Sequence, residues 1–201
     1  MPAKLHILQQ NVCCSNTNQQ YILQHADPSC FDIILLQEPW FDKLGKSRAN
    51  SHWRVVYPSN YYLPHDPIRS IILINTNIST DAYCSLDIPH SDISAIRLSG
   101  DFSSCSIFNI YNDCTSNNTI HALNTFLYTE PRSALPSPSD CMIWAGDFNR
   151  HHPLWESDAN HHLLSPPELL DPLLDLLTEF NMIQALPPGL PTLETPNQNW
   201  T

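Results

Sequence analysis

Cys141-Met142-Ile143-Trp144-Ala145-Gly146-Asp147-Phe148-Asn149 is the stretch whose reading decides the fold. The apolar run reads as a strand, Gly146 as the turn that ends it, and Asp147 and Asn149 as polar groups lifted off the end of a sheet. Open α/β folds place their chemistry at such strand ends. Upstream, Phe31-Asp32-Ile33-Ile34-Leu35-Leu36-Gln37 is a near-continuous apolar run that ends on Glu38-Pro39. Two carboxylates at two strand ends can hold a hard divalent cation and position water against a phosphodiester.

Further elements lie around these two. Leu5 to Gln10 reads as a first strand with Asn11 at its end, and Trp53 to Tyr57 as a short strand stopped by Pro58. Arg69 to Ile74 is another apolar strand, Asp92 to Leu98 a less regular one, and Ser104 to Tyr111 a strand closed by Asn112-Asp113. Helical spacing predicts Ser15 to Ala26, with Tyr21, Ile22 and Leu23 inward, and Thr119 to Tyr128, with Ile120, Leu123, Phe126 and Leu127 on one face. Ser165-Pro166-Pro167-Glu168 has capping-box spacing ahead of a leucine stripe, in which Pro172 marks a kink or the true first turn. Glu130 to Asp140 reads as a surface loop, and Met182 to Leu186 as a further strand. Strands with helices between them predict a layered α/β domain.

With 201 residues, 42% of them hydrophobic and 14% charged, the chain suits one globular domain rather than a disordered segment. Its formal net charge of -11 repels phosphate backbones. A nucleic-acid ligand therefore requires a local basic patch, a bound cation or a basic neighbouring domain. Lys43, Lys46, Arg48 and Arg54 after Glu38, and Arg150 after Asn149, are the cations available for a patch. Seven cysteines without a Cys-x-x-Cys pair read as reduced, mostly buried thiols of an intracellular protein. The N-terminus lacks a signal-peptide core, and no apolar stretch approaches the roughly 20 residues of a membrane span.

Taken singly, each candidate has a plain alternative. Glu38 is equally a surface carboxylate, Gly-Asp-x-Asn a simple turn, Tyr111 a core-edge tyrosine and Asn11 a capping residue. His151-His152 and His161-His162, with Glu156 and Asp158 between them, contain zinc-type ligands. Their spacing does not put them on one helix face, so they read as braces of the loop after Asn149 or as a substrate contact.

The order of these strand ends carries more. Asn11, Glu38, Tyr111 and Asp147-x-Asn149, each closing a strand, resemble the endonuclease/exonuclease/phosphatase superfamily, which includes abasic-site DNA endonucleases, sphingomyelinase-type phosphodiesterases and inositol-phosphate phosphatases. The resemblance covers nearly the whole chain and implies a four-layer α/β sandwich: two packed mixed β-sheets flanked by helices. More narrowly, Arg48-Ala49-Asn50-Ser51-His52-Trp53-Arg54-Val55-Val56-Tyr57-Pro58, Ile110-Tyr111-Asn112-Asp113-Cys114 and Gly146 to Trp155, with its His-His-Pro-Leu-Trp extension, look like the endonuclease domain of fungal LINE-type (non-LTR) retrotransposons.

That resemblance implies a nuclease that nicks target DNA. Glu38, with Asn11, would hold Mg²⁺ or Mn²⁺; Asp147 and Asn149 would align the water; Tyr111 would hold the scissile phosphate; Arg48, Arg150 and His151 would contact the substrate. It further implies nuclear action and a reverse transcriptase on the parent polyprotein. The superfamily pattern also includes a late acidic strand residue and a Ser/Asp-His pair, for which Asn199-Trp200-Thr201 leaves no room, and Cys13 stands where a polar residue is usual. The expectation is one domain over 1–201, incomplete at its C-terminus with the last strands missing, and weakly active or inactive. Two alternatives stay open: a small-molecule or lipid phosphoesterase of the same superfamily, and a non-catalytic remnant.

Overall fold

Strand β2 (Ile33–Gln37) is buried along its whole length, so the sheet that holds it is covered on both faces. In the computed structural model, which describes residues 4–60, 67–100, 103–135, 137–190, 192–195 and 198–200, that cover is a helix on one side and a second sheet on the other. The first sheet runs β1 (Ile7–Asn11), β2, β4 (Ser70–Asn75), β3 (Trp53–Val56). The second runs β5 (Tyr83–Ser85), β6 (Ile93–Ser99), β7 (Ser104–Tyr111), β8 (Cys141–Asp147). Both are mixed: β1–β2 and β7–β8 are parallel and the other pairs antiparallel. A ribbon of β9 (Leu193–Thr195) and β10 (Gln198–Trp200) follows.

The parallel pairs need crossovers, and helices supply them. Helix α1 (Asn16–His25) joins β1 to β2 and packs Leu23 against Ile34, Leu36, Ile71 and Leu73. Helix α2 (Asn118–Thr129) and the short α3 (Pro131–Ala134) join β7 to β8. With α4 (Pro167–Glu179), α2 covers Phe108, Ile110 and Ile93 on the outer face of the second sheet. Between the sheets lie Ile33, Leu35, Ile72, Ile74, Ile96 and Ile107. The result is the expected four-layer α/β sandwich.

A polar seam crosses this apolar interior. Gln37 and Asn109 are fully buried, and the Gln37 amide donates to Asn109 Oδ1 across the gap between sheets. Asn109 Nδ2 in turn donates to the carbonyls of Leu36 (3.0 Å) and Ile71 (2.8 Å) in the opposite sheet. Ser70 Oγ bonds Ser94 Oγ at 2.7 Å and donates to the Asn109 carbonyl at 2.8 Å. Such buried amides are tolerable only when paired, so they fix how the sheets sit on one another.

Several local expectations change. Tyr21 points outward at 62% exposure and stacks on His25, while buried Gln19 turns inward to bond Ser47, the Arg48 carbonyl and the Trp40 N–H. Strand β8 does not stop at Gly146 but runs through it to Asp147. At a φ of +139°, a Cβ at Gly146 would overlap the Ile110 carbonyl oxygen, so glycine serves the close approach of β7 rather than a turn. No capping box opens α4; Ser165 Oγ accepts instead from the His151 N–H. Pro172 lies inside α4, and the Glu168 carbonyl that would otherwise pair with residue 172 accepts from Asn117 Nδ2 at 2.8 Å. Met182 to Leu186 forms no strand, and Ile183 is 91% exposed. The stretch from Glu130 holds a short helix that buries Ala134. The cysteines are mostly exposed rather than buried; Cys105 alone of the seven is buried. Among the described residues, no helix is long and apolar enough to cross a membrane.

Truncating Asn109 strands the Leu36 and Ile71 carbonyls and the Gln37 amide. Asn109→Ala is expected to lose about 2–4 kcal/mol of stability, read as a lowered midpoint in urea unfolding with an unchanged slope.

Candidate active site

Strand register assembles the site. Asn11 lies beside Gln37, so the end of β1 meets Glu38, and Tyr111 lies beside Asp147. One hydrogen bond ties the two sheets together here: Asn11 Nδ2 donates to Asp147 Oδ2 at 3.0 Å. Asn11 Oδ1 accepts the Cys13 N–H at 2.8 Å, and a carbonyl oxygen keeps a second lone pair. The Tyr111 phenol lies near enough to the Glu38 carboxylate for that charge to help hold its proton on. Asn11, Glu38, Tyr111 and Asp147 therefore converge on one rim of the paired sheets, although 136 residues separate the ends of the Asn11–Asp147 bond.

Strained backbone is concentrated at the same rim. Cys13 (φ 51°), Cys14 (φ 53°), Glu38 (φ 48°) and Asn149 (φ 49°) all lie in the left-handed region that side chains other than glycine's disfavour. Neighbouring main chain holds these turns: the Glu38 N–H donates to the Arg69 carbonyl at 2.9 Å, and the Cys14 N–H donates to the Glu38 carbonyl at 2.7 Å.

The electrostatics are those of two carboxylates set close together. Burial raises the Asp147 carboxyl above its ordinary value, and the charge on Glu38 adds to that. The Asn11 amide, the Asn149 N–H and nearby His151 pull the other way. Burial, then Glu38, raises the Tyr111 phenol, so it stays a donor throughout the neutral range. Burial and the two carboxylates also raise the Cys13 thiol, which stays protonated at neutral pH.

The loop after Asp147 departs from expectation. Asn149 sits at the rim, with its N–H on Asp147 Oδ1 (3.2 Å) and its Nδ2 on the Asn112 carbonyl (2.9 Å). Arg150, expected to bind substrate, is 3% exposed. Its five N–H donors go to the carbonyls of Leu169, Asp113, Asn149 and Ser116 and to Asn117 Oδ1. The side chain is an internal staple with no donor left for a phosphate. His151 lies near Asp147 but is anchored, its Nδ1 2.6 Å from buried Glu156 Oε1. Arg48 lays its guanidinium 5.4 Å from the Trp40 ring centroid in the loop that follows Glu38. Arg54 is spent on the Ile78 and Thr76 carbonyls.

Sequence reasoning passed over Arg69, read only as the first residue of a strand. Its guanidinium carbon lies over the Tyr111 ring, 4.6 Å from the centroid, and its nitrogens bond Asp92 and Asp113. The available signal was a single cation heading an otherwise apolar strand in a chain with only 9 lysines and arginines. Among the described residues, no group of three or more His, Cys, Asp or Glu side chains is gathered to hold a metal ion.

Two packed mixed sheets bring two carboxylates, an amide and a phenol to one shared rim. Residues 105–201, which include Tyr111, Asp147 and Asn149, match the family model described as endonuclease-reverse transcriptase. The fold is similar to the endonuclease domain of TRAS1, a telomere-specific non-LTR retrotransposon, with a TM-score of 0.67 and 16% identity over 96% of this chain and 78% of that one. It is also similar to the AP endonuclease LMAP from Leishmania major, with a TM-score of 0.63 and 13% identity over 90% of this chain and 68% of that one. No curated protein matches the sequence. The family model covers residues 105–201 alone; over the length of the chain the likeness to these endonucleases is one of fold.

Two outcomes follow from the packing. Arg150→Met leaves five acceptors without their donor, so a loss of about 3 kcal/mol or more is expected in urea unfolding. Asp147→Asn is expected to act in the opposite sense. A carboxyl whose folded pKa is raised contributes its stability while protonated, and that contribution is lost as pH rises through the folded value. In metal-free buffer the neutral amide should therefore raise Tm at pH 8, and the gain should shrink as pH falls below the ordinary carboxylate range.

Proposed function

We propose that the chain is a divalent-metal-dependent DNA phosphodiesterase that nicks a target strand and leaves a 3′ hydroxyl and a 5′ phosphate. The observation that carries this reading is the convergence of Glu38, Tyr111, Asn11 and Asp147 through the Asn11–Asp147 bond. The endonuclease family model that matches residues 105–201 and the fold likeness to the TRAS1 and LMAP endonucleases support a DNA substrate. They do so at the level of the class rather than of a target sequence.

The donor set fits a small hard cation. Glu38 and Asn11 offer oxygens beside the partly buried Asp147, and two like charges at one rim are relieved by a cation between them. Mg²⁺ takes one or two carboxylates and keeps several waters, which suits a rim without a closed cage. Glu38 and Asn11 would hold Mg²⁺ or Mn²⁺, and a cation there supplies polarisation of the phosphate and neutralisation of developing charge.

The remaining steps belong to side chains. Asp147, its proton affinity raised by burial, accepts a proton from the attacking water. Asn11 holds the Asp147 carboxylate in place, and Asn149, pinned through its Nδ2, presents its Oδ1 to the same water. Tyr111, whose phenol keeps its proton, donates a hydrogen bond to a non-bridging phosphate oxygen. Arg48 and His151 are the remaining candidates for contact with the DNA strand.

The net charge of -11 favours a second reading, a phosphoesterase for small phosphorylated molecules or lipids. Supercoiled plasmid, phospholipid and inositol-phosphate substrates, assayed side by side, separate the two. The expected result is Mg²⁺-dependent conversion of supercoiled plasmid to open circle, lowered by about 10²–10⁴-fold in Glu38→Ala and in Asp147→Ala. Unchanged nicking in either variant overturns the assignment. Titration with Mg²⁺ alone should raise Tm, by about 2.7 kcal/mol of added stability at 100 Kd, and Glu38→Ala should remove the shift.

A further inference from the structure

Arg69 meets the site through four separate contacts. Its carbonyl accepts the N–H of Glu38 at 2.9 Å and so helps to hold that residue at its positive φ. Its guanidinium carbon lies over the Tyr111 ring, 4.6 Å from the centroid. Nε and one Nη make a bidentate pair with Asp92 at 2.8 and 2.6 Å, and the other Nη reaches Asp113 at 2.8 Å, two residues past Tyr111. Asp92 is almost wholly buried, and its carbonyl accepts the N–H of Tyr111 at 2.9 Å. Every one of these contacts ends on Glu38 or Tyr111, or on the residues that flank or clamp Tyr111.

Geometry and charge act together here. A bidentate Arg–carboxylate pair fixes the plane of the guanidinium, and a fixed plane stacked on an aromatic face fixes the ring. A ring held by its face and its main chain carries its phenol oxygen at one fixed place. The cation over the ring also makes the phenol a stronger hydrogen-bond donor, opposing burial and Glu38, which hold its proton on. Lysine could supply the charge but neither the plane nor the fork.

We infer that Arg69 is the positioning residue of the site, aligning the Tyr111 phenol and the Glu38 turn for phosphodiester cleavage through the Asp92–Arg69–Asp113 clamp. Its role in cleavage rests on the nuclease reading; its hold on the Tyr111 ring does not.

The experiment therefore has two arms. In the first, ¹³C-labelled tyrosine is incorporated and the Tyr111 ring signal is identified by its disappearance in Tyr111→Phe. Arg69→Met, made together with Asp92→Asn so that no unpaired carboxylate is left buried, should move that signal. Arg69→Lys and Asp113→Asn should move it less, while the other tyrosines stay in place. An unmoved Tyr111 signal in a folded Arg69→Met/Asp92→Asn protein overturns the inference, whatever the activity.

In the second arm, plasmid nicking is measured for the same variants, alone and combined with Tyr111→Phe. The expected result is a fall in kcat on the order of 10–100-fold with KM little changed, only partly rescued by Arg69→Lys. The fall should largely vanish when Tyr111 is already Phe. Full additivity with Tyr111→Phe, or a raised KM at constant kcat, overturns the positioning role. If the unmodified protein does not nick DNA, the nuclease reading fails and the ring signal alone decides whether Arg69 holds Tyr111.

Discussion

The bond between Gln37 and Asn109, buried between the two sheets, is the constraint on which the rest depends. Branched aliphatic side chains fill most of that interface, and such surfaces slide over one another at little cost. A buried amide cannot slide without losing its partner. Glu38 is the next residue after Gln37, and Tyr111 lies two residues beyond Asn109. Fixing the seam thus fixes the separation of the carboxylate and the phenol at the rim. The Ser70–Ser94 pair and the Asn11–Asp147 bond extend the same logic along and above the seam.

Above the seam, the rim gives up stability in ways that make chemical sense. Four residues adopt left-handed backbone, a carboxylate is partly buried beside another, and a part-buried phenol sits near a carboxylate. Each of these is unfavourable locally and persists because the sandwich below is over-determined. A cation would relieve the charge imbalance, which is the physical reason to regard the rim as a site and not as an ordinary loop cluster.

Arg150 shows how a correct motif can mislead about a single side chain. An arginine directly after Gly-Asp-x-Asn in an acidic protein invites a phosphate. The fold uses it instead to tie the loop after β8 to the loop after β7 and to the first turn of α4. Carbonyl groups left over where loops converge need donors, and arginine supplies five on one stem. Pro172 belongs to the same arrangement, because the carbonyl it leaves unpaired is satisfied by Asn117, which also accepts from Arg150. Nothing in local spacing announces these partners, since they come from three different segments.

Much of the molecule was nonetheless legible in the order of residues. Apolar runs identified β2, β4, β7 and β8, because strands buried on both faces leave an unbroken signature. Asn11, Glu38, Tyr111, Asp147 and Asn149, which the sheets bring to one rim, stand out in the sequence because each closes a strand or follows one directly. The short β5, the β9–β10 ribbon and α3 were missed, being too brief for any period to register. Tyr21 was misplaced because a helix of polar composition has no strong apolar face from which to read its rotation. What the amino-acid order determined by itself was the long buried strands and the polar residues at their ends, since burial and turn formation are local demands. Which ends meet, which cations are consumed inside and which one faces Tyr111 were decided only in three dimensions, because buried polar groups choose partners by proximity, and proximity between distant segments exists only after the sheets have packed.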